Sequence, residues 1–176
     1  MKMAIIPIIK IGHPTLRKVA QPVSDFDDEL NSLAENMIET MRLGEGIGLA
    51  APQVNISKRM FVIDLKLIDE NLEAKAYINP KILSTEGSES FEEGCLSIPG
   101  IRAEVIRPVK IEVQYQTISG EQTTEELDGL TARVFQHEFD HLEGILFIDK
   151  IAPLKKKLLE PKLKELEGVF ANQWTG

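Results

Sequence analysis

Only one of the 176 residues, Cys95, is a cysteine. That excludes an intrachain disulfide, favours a reducing compartment, and makes metal binding or catalysis the first questions for the thiol. No stretch of about 18 consecutive apolar residues occurs, so no membrane-spanning helix is expected. The apolar run from Met3 to Ile9 is interrupted by Pro7 and is too short for a secretory signal core with its cleavage site. Together these absences make the cytoplasm the default location. Positive charge is in short supply as well: 20 Lys and Arg against 28 Asp and Glu leave a formal net charge of -8. That field repels phosphate, so no tight direct binding to nucleic acid is expected, and no membrane partner either. Repeats, low-complexity tracts and Pro/Gly/Ser-rich linkers are missing too. What is present, 43% hydrophobic and 27% charged residues, suits a single globular domain over residues 1–176 that buries a core without staples.

Hydrophobic spacing divides the chain into elements. Leu30, Leu33, Met37 and Met41 recur at helical intervals, with Ala34 and Ile38 widening the stripe, and predict a helix from Asp25 to Arg42. Ser24 is placed to cap it, and acidic residues crowd its first turn, where the helix dipole favours anions. Gly44 to Gly48 ends it. The period then changes. Arg59 to Leu65 reads as a buried strand, and Tyr77 to Pro80 as a short extended piece stopped by proline. Val109 to Gln116 alternates apolar with polar, and the Ser119-Gly120 turn returns it as a hairpin through Gln122 to Leu127. Helical character resumes from Gly129 to Leu142 and from Leu154 to Glu167, with a kink or break expected at Pro161. The fold class predicted is α+β: mostly antiparallel sheets around a central helix, with an N-terminal and a C-terminal helix.

That central helix carries Gln136-His137-Glu138-Phe139-Asp140-His141. Side chains four apart on a helix share a face, so His137 and His141 can grip one cation while Glu138 reaches a water beside it. Two neutral nitrogens for the ion and a carboxylate for the proton suit metal-assisted hydrolysis. A catalytic site of this kind wants a third protein ligand, for which Cys95, His13 and the carboxylates are available. His13 lies in a turn-like Gly-His-Pro context with no helper nearby. Cys95 follows Gly94, whose missing side chain lets backbone come close, and sulfur is a strong ligand for soft or borderline metals. A His2Cys site is therefore the favoured set, and its donors alone suggest zinc. The run Gly46-Ile47-Gly48-Leu49-Ala50-Ala51-Pro52-Gln53 offers close backbone approach but reads by itself as tight packing or a turn.

Taken together, GIGLAAPQ (Gly46 to Gln53), EGCLS (Glu93 to Ser97) and QHEFDHLEG (Gln136 to Gly144) resemble the three motifs of the peptide deformylases. HPTLRKVAQPV near the start, INP at Ile78 to Pro80 and LFIDKIAPLKK near the end are similar to bacterial members of that family, and no motif position departs from it. There is no long insertion before EGCLS, so the resemblance implies the shorter bacterial type with a C-terminal helix. It implies Cys95, His137 and His141 as metal ligands and Glu138 as the general acid and base. It implies Gln53 and the backbone N–H of Leu96 as oxyanion donors. Ile47, Gly48 and Gly94 would hydrogen-bond an extended substrate, Glu93 and Leu130 would shape a methionine pocket, and Arg102 would lie near the substrate path. The cofactor implied is one Fe2+ per chain, for which Zn2+, Ni2+ or Co2+ can substitute. The implied partners are N-formyl-methionyl nascent peptides and, transiently, the ribosome. Two other functions compete for the helix motif: a zinc endopeptidase, which leaves Cys95 and Gln53 without a task, and a non-catalytic metal-stabilised binding module, which leaves Glu138 without one.

Overall fold

The computed structural model describes residues 4–171; residues 1–3 and 172–176, part of the domain expected over the whole chain, lie outside the described residues. Helix α1 (Asp28–Leu43) starts later than its acidic run suggests. Asp27, and not Ser24, is the cap: its backbone is extended and its carboxylate accepts the Leu30 N–H at 3.0 Å. The helix buries Leu30, Ala34, Met37 and Met41.

Strands β1 (Gly48–Ala50), β2 (Met60–Ile63), β3 (Lys75–Glu86), β6 (Lys110–Gln116) and β7 (Gln122–Asp128) form one antiparallel sheet in the order β1-β2-β3-β6-β7. Strand β2 explains the unbroken apolar run seen in the sequence, because both of its faces are covered. Met60 and Val62 pack with Met37 and Met41 of α1, while Phe61 and Ile63 turn to the opposite side and meet Tyr77 and Phe135. Pro80 does not stop β3. A register irregularity between Ile78 and Lys81 puts Asn79 at φ 50° and takes Pro80 past the ladder, where its missing N–H costs nothing.

Strands β4 (Glu89–Cys95) and β5 (Ile98–Arg107) make a separate two-stranded ribbon that the sequence patterning did not reveal. Before Cys95, β4 holds Phe91 as its one large apolar residue, and Pro99-Gly100 interrupts the alternation of Ile98, Ile101, Ala103 and Val105. Those four pack on Phe147, Ile148 and Leu163 in a second core. Helix α2 (Gly129–Leu142) has the predicted bounds and lies with Phe135 and Leu142 against the five-stranded sheet. Helix α3 (Pro153–Ala171) continues through Pro161 without a break. Lys157, whose carbonyl loses its partner there, is exposed, so water can serve it. No helix among the described residues is long and apolar enough to cross a membrane.

Candidate metal centre

Three parts of the chain converge at α2. Cys95 ends β4, and His137 and His141 stand one turn apart on the helix. Their ligand atoms all lie within 4.8 Å of one another, with Cys95 Sγ 3.5 Å from His141 Nε2. His13, the other histidine considered, instead caps a short 3-10 turn, accepting the Thr15 N–H at its Nδ1. The third segment contributes Gln53, fully buried in a 3-10 turn that follows β1. Its Oε1 accepts the Ala50 N–H at 2.9 Å, which turns its Nε2 toward Cys95 Sγ at 3.4 Å and Ser97 Oγ at 3.1 Å.

Glu138 is buried beside this cluster, its Oε1 3.9 Å from His137 Nε2. Among the described residues, its Oε2 and the Nδ1 of His141 have no hydrogen-bond partner, unusual for buried polar atoms in a core otherwise well paired. Burial, the largest influence, pushes the Glu138 carboxyl up to about 7. Burial also holds the His141 imidazole well below its ordinary value, so it is neutral and able to ligate. His137 goes the other way. Burial lowers it, but its contacts with Cys95 and Glu93 prevail and raise it to about 10. The two neighbouring imidazoles thus diverge, His137 held up by Cys95 and Glu93 and His141 held down by burial and by His137 and Arg107. One sulfur, two imidazole nitrogens and a nearby unengaged carboxyl oxygen fit a divalent transition metal with room left for water.

Every other candidate residue lines one cavity of about 500 Å3 that opens beside the cluster. Its walls include β1 and β4, each paired on one side only among the described residues. The Ile47 carbonyl is already engaged by the Asp64 N–H at 2.8 Å, and Gly48 passes so close to α2 that a side chain would strike Glu138. Leu130 is 41% exposed and stands in the cavity wall near Phe91 and Val134. Arg102 lies at the rim with its Nε donating to Glu92 at 2.7 Å, and its guanidinium covers Gly94. Glu93 lines the cavity and is also buried among cations. Its Oε1 accepts from His137 Nδ1 at 2.9 Å, and its two oxygens take four hydrogen bonds in all from His137, Arg107 and Arg133.

Sequence reasoning passed over Arg107, Arg133, Asp140 and Ser97, all buried at this site. Arg133 had a usable signal, since it sits four residues before His137 and so shares its face of the helix. Arg107 and Asp140 had none, because they meet across 33 residues of sequence.

The family model described as polypeptide deformylase matches residues 5–157. A peptide deformylase of Acidobacterium capsulatum is 44% identical, the match covering 98% of this chain and all of the relative. One from Thermotoga sp. strain RQ2 is 52% identical over 88% of this chain and 92% of its own. A crystal structure of the peptide deformylase from Plasmodium falciparum superposes with a TM-score of 0.90 at 40% identity, covering 97% of this chain and all of that one.

Proposed function

Because the chain belongs to the polypeptide deformylase family, we infer how its own residues remove the formyl group from the N-terminal formyl-methionine of new polypeptides and release formate. One observation carries the assignment of roles: Cys95, His137 and His141 converge beside a buried Glu138 oxygen that no group among the described residues engages. These three residues would hold a divalent cation. The donor set accepts several first-row metals, and the family resemblance favours Fe2+, with Zn2+, Ni2+ or Co2+ able to replace it. When bound, the ion supplies Lewis acidity, lowering the pKa of water and drawing charge from the formyl oxygen.

Glu138 takes the proton of the attacking water and returns it to the leaving amine, two tasks suited to a carboxyl near neutrality. Gln53, its amide held by Ala50, and the Leu96 N–H donate to the oxyanion; losing one such donor typically costs about 2.7–4 kcal/mol. The substrate enters as an added strand between β1 and β4, bonding Ile47, Gly48 and Gly94. Leu130 and the apolar cavity wall receive the methionine side chain, with Glu93 behind it and Arg102 at the mouth. The described chain thus works as one catalytic domain in the cytoplasm, meeting nascent peptides at the ribosome in passing. An endopeptidase would leave Cys95 and Gln53 unexplained.

Formyl-Met, formyl-Asp and acetyl-Met versions of one peptide, compared by kcat/KM on a preparation of known metal content, test this function. The formyl-Met peptide should react much the fastest. An aspartate would bring an unpaired charge into the apolar wall, at a cost of several kcal/mol. The acetyl methyl must be forced between Gln53 and the cluster, and overpacking of that kind costs about 1–3 kcal/mol. Equal rates for formyl and acetyl substrates would make the protein a broad amidase and overturn the assignment.

A further inference from the structure

The three proposed ligands stand on two elements that share no β-ladder. Cys95 ends the ribbon, His137 and His141 are on α2, and among the described residues the ribbon pairs only with itself. Their separation must therefore be set by side chains. We propose that Arg107 is a positioning residue, a buried bracket that holds the cysteine and the histidine pair at metal-binding distance.

Arg107 is the last residue of β5, and its side chain is 2% exposed. Its Nε and Nη2 donate to the two oxygens of Glu93 at 2.6 and 2.9 Å, two residues before Cys95. Its Nη1 donates to Asp140 Oδ2 at 2.8 Å, one residue before His141. One planar group thus grips a neighbour of the sulfur ligand and a neighbour of the second histidine. Glu93 completes the frame by accepting from His137 Nδ1, which leaves Nε2 to face the cluster. Arg133 repeats the pattern in reverse, reaching from α2 to Glu93 Oε2 and to the ribbon carbonyls of Val105 and Glu89.

Stability alone does not account for this arrangement. Arg107 and Arg133 balance Glu93 and Asp140, and buried ionic sets of that kind are commonly replaced by apolar residues without loss of stability. What apolar packing does not supply is a rigid fork whose donors fix two carboxylates relative to each other. A lysine at position 107 would keep the charge, but its single nitrogen cannot reproduce both the paired bond to Glu93 and the bond to Asp140.

The inference rests on Cys95, His137 and His141 being the ligands, so the experiment measures the metal directly. Cobalt(II)-loaded wild type, Arg107→Lys and Asp140→Asn are compared by their sulfur-to-cobalt absorption band, by the rate of cobalt loss to a chelator, and by kcat and KM. Both variants should lose cobalt about 10- to 100-fold faster, shift the band, and lower kcat more than they raise KM. Lys164→Gln, which breaks an ion pair with Glu160 on the exposed face of α3, should leave the band and the loss rate as they are. A folded Arg107→Lys with the wild-type band and loss rate would overturn the proposal. If Arg107→Lys does not fold, Asp140→Asn, which weakens one limb and keeps its shape, decides the matter by the same readouts. Failure of the wild type to bind one cobalt per chain would overturn the ligand assignment and the proposal together.

Discussion

Gly48→Ala adds a single methyl group where β1 passes the metal-site helix. A Cβ at that point would lie 2.8 Å from Glu138 Oε1, 2.9 Å from Glu138 Cγ and 2.9 Å from Val134 Cγ1. Ordinary contact begins near 3.4 Å, so some atom must move by roughly 0.5 Å. Glu138 and Val134 are both buried, and β1 is held by its pairing of Gly48 with Ile63. Overpacking of this kind costs about 1–3 kcal/mol. The methyl presses on the carboxyl that moves the proton, and misplacing a catalytic group by about 1 Å costs about a hundredfold in rate. A displacement of roughly half that size predicts a kcat about ten- to a hundredfold lower.

The assay is kcat and KM on a formyl-Met peptide, with metal content measured on the same sample. Metal content should be unchanged, because none of the three proposed ligands is touched, and the loss should fall mainly on kcat. Retreat of β1 instead would spoil the substrate's strand pairing and raise KM. Gly168→Ala is the matched control, since a Cβ in that part of α3 meets nothing within 4 Å. Removing a helix glycine should raise stability by up to about 0.5–1 kcal/mol and leave activity alone. A wild-type kcat in Gly48→Ala would refute the crowding argument and the placement of Glu138 at the chemistry.

Glu138→Gln should keep the metal and lose turnover, measured as metal per chain and formate release; loss of the metal as well would make Glu138 a ligand. Cys95→Ser should weaken or change metal occupancy, since a hard hydroxyl replaces sulfur, and unchanged content and activity would return Cys95 to a packing role. The iron-loaded enzyme should lose activity in air sooner than the nickel-loaded one, and equal half-lives would argue against iron as the working ion. Glu93 offers a pH test. Burial works to raise its pKa, but the bonds from His137 and Arg107 prevail and hold it at about 2. Its folded value thus lies below its ordinary 4.5, so the stability it contributes is full above about 4.5 and is lost as pH falls toward about 2. Glu93→Gln should be less stable at neutral pH and show a flatter acid limb in denaturant midpoint against pH; an unchanged slope would remove Glu93 from the acid response.

Features that were local in sequence were legible. The bounds of α2, the β6–β7 hairpin and the stripe of α1 follow from spacing over a few turns or a few alternations, and the structure has them within about three residues. The ribbon was not legible. Four residues of its ten-residue second strand pack on Phe147, Ile148 and Leu163, far along the chain, and Pro99-Gly100 breaks the alternation that would have marked it. Strand β1 is three residues of Gly, Leu and Ala, too short and too small-chained to separate from a turn. The irregularity at Asn79 shows a local rule outweighed by tertiary pairing: proline ends a strand only where the ladder needs its N–H.

The site divides along the same line. His137, Glu138 and His141 announce themselves because one helix turn puts them on neighbouring positions. Cys95 is 46 residues from His141, and only its glycine neighbour and the resemblance of EGCLS to a known motif brought it into the set. Of the charges behind the ligands only Arg133 carried a local pattern, since Glu93 meets Arg107 across a strand pair and Arg107 meets Asp140 across 33 residues. Yet these are the residues that hold the ligands in place. With two arginines answering two carboxylates, the buried set is neutral, so it adds little net charge against a divalent ion while orienting one imidazole toward it. The chemistry was therefore readable from the ligands, whereas the fixity that makes the ligands a site depends on contacts that exist only once the ribbon has folded onto the helix.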